Sequence, residues 1–209
     1  MARKIIGLTG KMAAGKNYVT DTLLQMDILK DNTIAVDADV LVHKIVPNFM
    51  PKIIETFTPE AEKMGIKITD ENGNIKRREL AKIVFSSEEN LKKQEAIIHP
   101  EVERELKKII AENPNSNIIV NATVLYKIPL AKECDAIIFI DCPTFVRLVR
   151  AKKRDGLSFG QIYKRFLSQK KLFTKYQKLN SDIYRVMNFG SKSKLERTLA
   201  KVLKQIISI

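Results

Sequence analysis

The sequence predicts an α/β fold: a doubly wound, parallel, five-stranded sheet with a helical insert and a helical lid. Five short segments are apolar on both faces, as strands buried inside a parallel sheet are. Segments with helical spacing of apolar residues separate these strands along the chain, which favours parallel strands joined by helices. The chain has 209 residues, 44% of them hydrophobic, which suits one α/β core with small insertions.

The first two predicted strands each end at a polar segment. The first strand is predicted at 4–9, followed by a glycine-bounded loop and a helix at 17–30. The second is predicted at 33–36 and leads into Asp37 and Asp39, where the next helix starts. Because carboxylates at the C-terminal ends of such strands point into the crevice of an α/β sheet, both aspartates are candidate site residues.

The middle of the chain, from 47 to 113, has a different pattern of helices and loops, which predicts an inserted helical subdomain. A turn is predicted at 70–73, and a helix is predicted to start at His99-Pro100.

Three further strands complete the predicted sheet, at 118–120, at 136–140 and, with a weaker pattern, at 185–188. Pro143 and Gly156 bracket a predicted helix between the last two strands. The predicted domains are a nucleotide-binding core at 1–46, 114–142 and 183–209, a substrate-binding insert at 47–113 and a basic helical lid at 143–182.

The net charge of +13 is concentrated in the last third of the chain, since residues 142–209 carry 17 basic and 3 acidic side chains. The positive electrostatic potential of such a segment attracts a nucleotide, a nucleic acid or an anionic membrane surface alike. A solvated basic surface accounts equally well for the lysines.

The loop after the first strand has the pattern Gly10-x4-Gly15-Lys16 between a predicted strand and a predicted helix, which is the context of a P-loop. The glycines let backbone N–H groups converge on phosphate oxygens, the helix N-terminus adds positive partial charge, and Lys16 reaches the β- and γ-phosphates. The fold is therefore predicted to be of the P-loop NTPase type. The predicted nucleotide-binding residues are Gly10, Ala13, Ala14, Gly15, Lys16, Asn17 and Tyr18.

Asn17 departs from the P-loop pattern, because a Ser or Thr hydroxyl usually binds Mg²⁺ at this position. An Asn carbonyl oxygen is a ligand for a hard cation, and its amide can donate a hydrogen bond to a phosphate. We predict weaker or water-mediated Mg²⁺ binding through Asn17.

Asp37 and Asp39 are the candidates for acid–base chemistry. Phosphoryl transfer needs an acceptor hydroxyl that is oriented and relieved of its proton, and an ionised aspartate does both. The alternative is that one of them caps the following helix. Alternation predicts that one carboxylate faces the substrate and the other faces the cap or metal-bound water.

Arg147, Arg150 and Arg154 stand at i, i+3 and i+7, so one helix face is predicted to present three guanidinium groups. Planar charged donors suit a phosphoryl group, and on a closing lid they stabilise transition-state charge and exclude water. The alternative is a solvated basic helix face, which Lys152 and Lys153 fit better.

In their order along the chain, these features resemble the dephospho-coenzyme A kinase family of P-loop kinases, and the resemblance covers nearly the whole sequence. The P-loop is common to many kinases, whereas the Asp-Ala-Asp, His-Pro and R-R-x-L-x-x-x-V-F segments are together much more specific. The matching segments are I-I-G-L-T-G at 5–10, G-K at 15–16, V-D-A-D-V-L-V-H at 36–43, G-N-I-K-R-R-E-L-A-K-I-V-F at 73–85, I-I-H-P at 97–100, R-x6-R-D at 147–155, Gln169 and N-F-G at 188–190.

The resemblance implies ATP-dependent phosphorylation, with Mg²⁺, of the ribose 3′-hydroxyl of dephospho-coenzyme A to give coenzyme A. It implies that Asp39 is the base, that Lys16 binds the γ-phosphate, and that Arg147 and Arg154 are the lid arginines. The acceptor-binding residues that it implies, together with the apolar helical insert, are Asp37, Asp39, Arg77 and His99.

The chain departs from the family pattern at two places besides Asn17. After the third strand, where P-L-L-x-E is common, it reads T-V-L-Y-K at 123–127, so that Lys127 replaces an acid. Inside the P-loop, the residues from Met12 to Ala14 replace the usual glycines and narrow the available backbone angles. Reduced or differently tuned activity is the expected consequence.

The residues alone leave two other functions open. Another small-molecule kinase, such as a nucleoside monophosphate kinase, would favour polar readers of base edges, whereas the insert is rich in apolar residues. A catalytically weak nucleotide-binding regulator with a basic nucleic-acid-binding end is favoured by Asn17 and Lys127 and opposed by Asp39 and the three arginines. Nucleic acid is therefore not expected as a partner.

No apolar run approaches the roughly 18 to 20 residues that a membrane span requires, so no membrane partner is expected. The protein is expected to be cytoplasmic, as a monomer or small homo-oligomer. Cys134 and Cys142 lack metal-ligand spacing and are expected to be reduced thiols in or near the core.

Overall fold

The computed structural model describes residues 3–156, 158–179 and 181–208. The described residues form a five-stranded sheet in the order β2-β3-β1-β4-β5, and every neighbouring pair is parallel. The predicted parallel sheet is confirmed. Its strands are β1 (Ile5–Gly10), β2 (Thr33–Asp37), β3 (Asn117–Asn121), β4 (Ala136–Asp141) and β5 (Asp182–Met187).

Helices connect the strands, and among the described residues none is both long and apolar enough to cross a membrane. The helices are α1 (Lys16–Leu24), α2 (Ala38–Ile45), α3 (Met50–Lys63), α4 (Arg77–Val84), α5 (Glu88–Glu112), α6 (Thr144–Asp155), α7 (Phe159–Ser168), α8 (Leu172–Tyr176) and α9 (Lys192–Ser208), with 3-10 turns at Val46–Phe49, Leu125–Lys127 and Pro129–Lys132.

The chain divides into two compact units. The first contains the residues up to Asp39 and those from Lys107 onward, and the second is Val40–Leu106. The predicted core, insert and lid divide the chain by expected role and not by compactness. Their bounds remain predictions. Residues 1, 2 and 209 of the predicted core and residues 157 and 180 of the predicted lid lie outside the described residues.

In the first unit, the sheet carries helices on both faces. Ile138 of β4 belongs to a buried cluster with Leu23 of α1 and Leu199 of α9. Phe139, the next residue, points the opposite way because side chains alternate along a strand. Its ring packs edge-on against residues of α8, with ring centroids 4.9 Å from Phe173 and 5.8 Å from Tyr176.

The second unit has its own apolar core, built from α3, α4 and α5. Ile53, Phe57, Ile83 and Val102 are completely buried. The turn predicted at 70–73 is present, and Asp70 closes it by accepting hydrogen bonds from the backbone N–H groups that follow.

Three element bounds predicted from the sequence are wrong, each for a packing reason. The first helix ends at Leu24 rather than near residue 30, and turns then bury Leu29 while leaving Ile28 exposed. Helix α5 starts at Glu88 and continues through Pro100, since its buried face runs on past the proline. Strand β5 starts at Asp182 rather than at residue 185, since this edge strand has one buried residue, Val186, and therefore only a weak apolar pattern.

Candidate functional site

The P-loop joins β1 to α1, and its backbone explains which glycines are needed. A Cβ atom at Gly10 would clash with the carbonyl oxygen of Ile140, and one at Gly15 would clash with the amide of Asn188. Ala13 has a φ of 58°, in the left-handed region, which costs about 1 kcal/mol for a residue with a side chain. The glycine missing at this position is therefore replaced at a small energetic cost, without loss of the loop conformation.

An ion cluster around the buried carboxylate of Asp141 holds the start of the loop. The Asp141 carboxylate at the end of β4 accepts hydrogen bonds from Lys11 Nζ at 3.4 Å, Arg185 Nε at 3.2 Å and the N–H of Cys142 at 2.9 Å. Burial acts to raise the pKa of Asp141, but the bonds from Arg185 and Cys142 and the charge of Lys11 together hold it below its ordinary value. Asp141 is therefore an ionised, fully engaged carboxylate.

Two backbone groups further along the loop are held by amide side chains. Gln169 Oε1, just after α7, accepts the N–H of Met12 at 2.6 Å. Asn188 Nδ2, just after β5, donates to the carbonyl of Ala14 at 2.8 Å. The loop is thus fixed from two distant segments of the chain.

Lys16, Thr123 and Asp39 form a hydrogen-bonded chain beside the loop. Lys16 Nζ donates to Thr123 Oγ1 at 2.9 Å, and that hydroxyl donates to Asp39 Oδ2 at 3.2 Å. Burial lowers the pKa of Lys16, and the nearby carboxylates of Asp39 and Asp37 oppose that effect. The arrangement brings a cation and a carboxylate to the same point at the mouth of the P-loop.

Two hydroxyl groups hold the backbone carbonyl of Thr123 in place. The hydroxyls of Thr9 and Tyr176 lie 2.6 Å apart, and they reach the carbonyl oxygen of Thr123 at 3.3 Å and 3.2 Å. Burial raises the pKa of Tyr176, so its hydroxyl stays protonated and able to donate.

Asp37 and Asp39 have different environments. Asp37 Oδ1 accepts the N–H of Asp39 at 2.9 Å, so Asp37 caps α2. Asp39 lies in the first turn of that helix rather than at the strand end, and its side chain is exposed. Asp37 Oδ2 lies 3.4 Å from Asn121 Nδ2, and the same amide nitrogen donates to Asn17 Oδ1 at 3.0 Å.

The three arginines of α6, predicted to present their guanidinium groups from one helix face, lie in different environments. Arg147 is buried, with its guanidinium 4.2 Å from the centre of the Phe166 ring and Nη1 3.5 Å from the Met12 carbonyl. Arg150 Nη1 donates to the Ala14 carbonyl at 3.4 Å. Arg154 is exposed and pairs with Asp155 at 2.6 Å. Positions 147 and 154 are seven residues apart and lie on nearly the same side of the helix, so it is the packing of Phe166 on Arg147 that decides the difference in burial.

Two clefts border the end of the P-loop. One, of about 560 Å³, is lined on one side by Lys16 and Asn17 and on the other by Arg150 and Arg154. The other, of about 400 Å³, is lined by Gly15, Tyr18 and Arg150 together with the segment from Asn188 to Lys192. These clefts contain most of the residues predicted to bind nucleotide.

Two predicted acceptor residues belong to the second unit. Arg77 is exposed at the first position of α4 and lines an apolar cavity of about 240 Å³. His99 lies half-buried in the middle of α5. Apolar residues that line the cavity are Val42, Val46, Met50, Ile75, Leu80, Ala81, Val84 and Phe85.

Sequence reasoning missed several polar residues of the site. Asn121 ends β3 and Asp141 ends β4, so the rule that selected Asp37 at the end of β2 would have found them. Thr123 and Asn188 lie in loops after strands; Asn188 belongs to the N-F-G segment that resembles the family, but a single sequence gives no signal for the partners of either residue.

Comparisons with known proteins agree with this geometry. The sequence profile of the dephospho-CoA kinase family matches residues 4–189. The dephospho-CoA kinase of Treponema denticola is 40% identical over 205 residues, which cover 96% of this chain and 89% of that protein. A solved structure from Thermus thermophilus is 27% identical, has a TM-score of 0.77 and covers 98% of both chains. A solved dephospho-CoA kinase of Campylobacter jejuni shares the fold at 22% identity, a TM-score of 0.58 and coverage of 98% and 97%.

Proposed function

Because the chain belongs to the dephospho-CoA kinase family, we propose that Lys16, Asp39, Arg150 and Arg154 form its phosphoryl-transfer site. The enzyme uses ATP to phosphorylate the ribose 3′-hydroxyl of dephospho-coenzyme A, the final step of coenzyme A biosynthesis. Arg150 replaces Arg147 in the proposed set of lid arginines, since Arg150 lines both clefts and Arg147 is buried.

The observation that carries this assignment is the chain of hydrogen bonds from Lys16 through Thr123 to Asp39. A P-loop lysine binds the terminal phosphates of the nucleotide, so the carboxylate at the other end of the chain lies where an acceptor hydroxyl would approach them. Asp39 is exposed and available to a substrate, whereas Asp37 is engaged as a helix cap.

In the proposed reaction, Asp39 accepts the proton of the 3′-hydroxyl as the ribose oxygen forms a bond to the γ-phosphorus. The bond from that phosphorus to the β,γ-bridging oxygen breaks, and ADP leaves with its electron pair. Lys16, Arg150 and Arg154 offset the negative charge that spreads over the phosphoryl oxygens. Protonated Asp39 then returns its proton to solvent.

Mg²⁺ is part of the proposal, and the oxygen donors beside the P-loop fit it. The carboxylates of Asp37 and Asp39 are oxygen donors of the kind that Mg²⁺ binds, directly or through water. When bound, the ion would neutralise phosphate charge.

The cytoplasmic location and the monomeric or small homo-oligomeric state stay predictions.

The apolar cavity of the second unit is the proposed site of the pantetheine arm of the acceptor. Its lining is apolar apart from His43, Arg77 and Gln94. Gln94 Oε1 is buried without a hydrogen-bond partner among the described residues, so it can accept the N–H of a pantetheine amide. Arg77 can pair with a phosphate of the same substrate.

The test is ADP and coenzyme A formation by the purified protein with Mg-ATP and dephospho-coenzyme A. AMP in place of dephospho-coenzyme A tests the nucleoside monophosphate kinase alternative in the same assay. We expect turnover with dephospho-coenzyme A and none above background with AMP. ATP binding without turnover of dephospho-coenzyme A would overturn the proposal.

A further inference from the structure

The side-chain amide of Asn17 has a defined orientation, set by its neighbour Asn121. One atom of the Asn121 amide lies 3.0 Å from Asn17 and 3.4 Å from Asp37 Oδ2. Because an ionised carboxylate can only accept, that atom must be the nitrogen of Asn121. The Asn17 atom that faces it must therefore be the carbonyl oxygen.

This orientation turns the carbonyl oxygen of Asn17, its one side-chain atom able to bind a cation, toward Asn121 and leaves the amide nitrogen for a partner on the other side. Among the described residues, the structure gives Asn17 Nδ2 no partner. Asn17 is exposed, lies in the first turn of α1 and lines the same cleft as Lys16. The outward nitrogen thus adds a donor to the backbone N–H groups of the helix N-terminus.

The partner that sets this orientation is itself fixed. Asn121 is only 3% exposed at the end of β3, and its Oδ1 is buried without a hydrogen-bond partner among the described residues. Rotating the amide of Asn121 would place its carbonyl oxygen against the carboxylate of Asp37, which is unfavourable. Asn121 therefore keeps the carbonyl of Asn17 engaged.

We propose that Asn17 binds an oxygen of the nucleotide phosphates as a hydrogen-bond donor and is not a ligand of Mg²⁺. The P-loop then holds the nucleotide largely without help from the metal, in contrast to a P-loop with Ser or Thr at this position. The proposal rests on the proposed function in its choice of nucleotide. It is tested by ADP binding without acceptor, so its failure is distinct from a failure of phosphoryl transfer.

The experiment is calorimetric titration of ADP into the full-length protein, in Mg²⁺ and separately in EDTA. For the unmodified protein, we expect the two Kd values to agree within about 3-fold, since the donor acts on the phosphate itself. Asn17→Ala should weaken ADP binding about 10-fold in both buffers, because a hydrogen bond to a charged group is lost. Asn115→Ala, an exposed asparagine in a turn of the same unit, is the matched control and should change neither value.

The Asn17→Asp variant distinguishes a hydrogen-bond donor from a metal ligand, because it keeps a side-chain oxygen and loses the N–H group. The proposal predicts weaker ADP binding in Mg²⁺ as well as in EDTA, by about 10-fold or more. Asn17→Thr should make ADP binding depend on Mg²⁺ by about 10-fold. Mg-ADP affinity kept or increased in Asn17→Asp, or an Asn17→Ala loss seen only in Mg²⁺, would overturn the proposal. Since Asn17 is exposed, these variants are expected to fold, and melting curves check this.

Discussion

The two halves of the P-loop are held in different ways. The first half, Gly10 to Ala14, is fixed by the buried carboxylate of Asp141 and by the amides of Gln169 and Asn188. The second half, Gly15 to Asn17, ends in two polar side chains: Lys16 contacts the partly exposed Thr123, and the exposed Asn17 contacts Asn121. The first half is therefore a rigid frame, and the second presents groups that a nucleotide can take over.

This difference separates stability from catalysis along eight consecutive residues, 10–17. Two partners of the first half, Asp141 and Asn188, are buried, so removing either leaves an unpaired polar group in the core and destabilises the fold. In the second half, the Lys16 partner Thr123 is partly exposed and Asp39 beyond it is exposed, so removing either should affect turnover far more than folding. Three substitutions test this separation, in order of decreasing free-energy effect.

The largest effect is expected at Asp39. Asp39→Asn removes the proposed base but keeps its shape, so kcat should fall about 100- to 10 000-fold, equivalent to roughly 3–5 kcal/mol. ADP affinity and melting temperature should change little, because Asp39 is exposed. Steady-state kinetics and calorimetry measure the two quantities. Asp31→Asn, at another exposed aspartate of the same unit, is the control, and full turnover by Asp39→Asn would contradict the assignment.

The second substitution, Asp141→Asn, acts on the frame. Loss of the charged bonds to Lys11 and Arg185 should lower the free energy of unfolding by about 2 kcal/mol near neutral pH. Because the pKa of Asp141 is lowered in the folded state, its contribution is complete above the unfolded-state pKa of about 3.9 and is lost as pH falls through the folded-state pKa.

Denaturant unfolding from neutral to acid pH therefore checks both the size and the sign of the Asp141 effect. The difference between the unmodified protein and Asp141→Asn should be largest near neutral pH and shrink in acid. Asp182→Asn, on the exposed edge strand, should be neutral throughout. A difference that grows on acidification would show that Asp141 is not stabilised in its ionised form.

The sequence predicted the strands and the P-loop better than the side-chain contacts that surround them. Period and strand-end rules found all five strands, the P-loop and the aspartates after β2, because these depend on local pattern. The bounds of β5 were missed because an edge strand exposes polar residues. The orientation of Arg147 was missed because three arginines on one helix can still point into different environments, and only the packing of Phe166 decides which is buried.

The contacts of the second half of the loop were beyond sequence reasoning for a related reason. Thr123 is 107 residues from Lys16 and 84 from Asp39, so their meeting depends on the sheet order that places β3 beside both β1 and β2. From the sequence, the T-V-L-Y-K segment was noted only for the lysine that replaces an acid. The structure gives its first residue the more direct connection to the site.

Thr123 provides the smallest and most specific test of the comparison, as a positioning residue between Lys16 and Asp39. Thr123→Val removes the hydroxyl at nearly constant shape, so Asp39 loses a hydrogen bond that orients its carboxylate. We expect kcat to fall about 10-fold, while KM for ATP changes by less than about 3-fold. Thr123→Ser restores the hydroxyl and should recover most of the rate. Equal losses in the two variants would assign the effect to the methyl group. Thr123 would then have a structural role, like the residues that hold the first half of the loop.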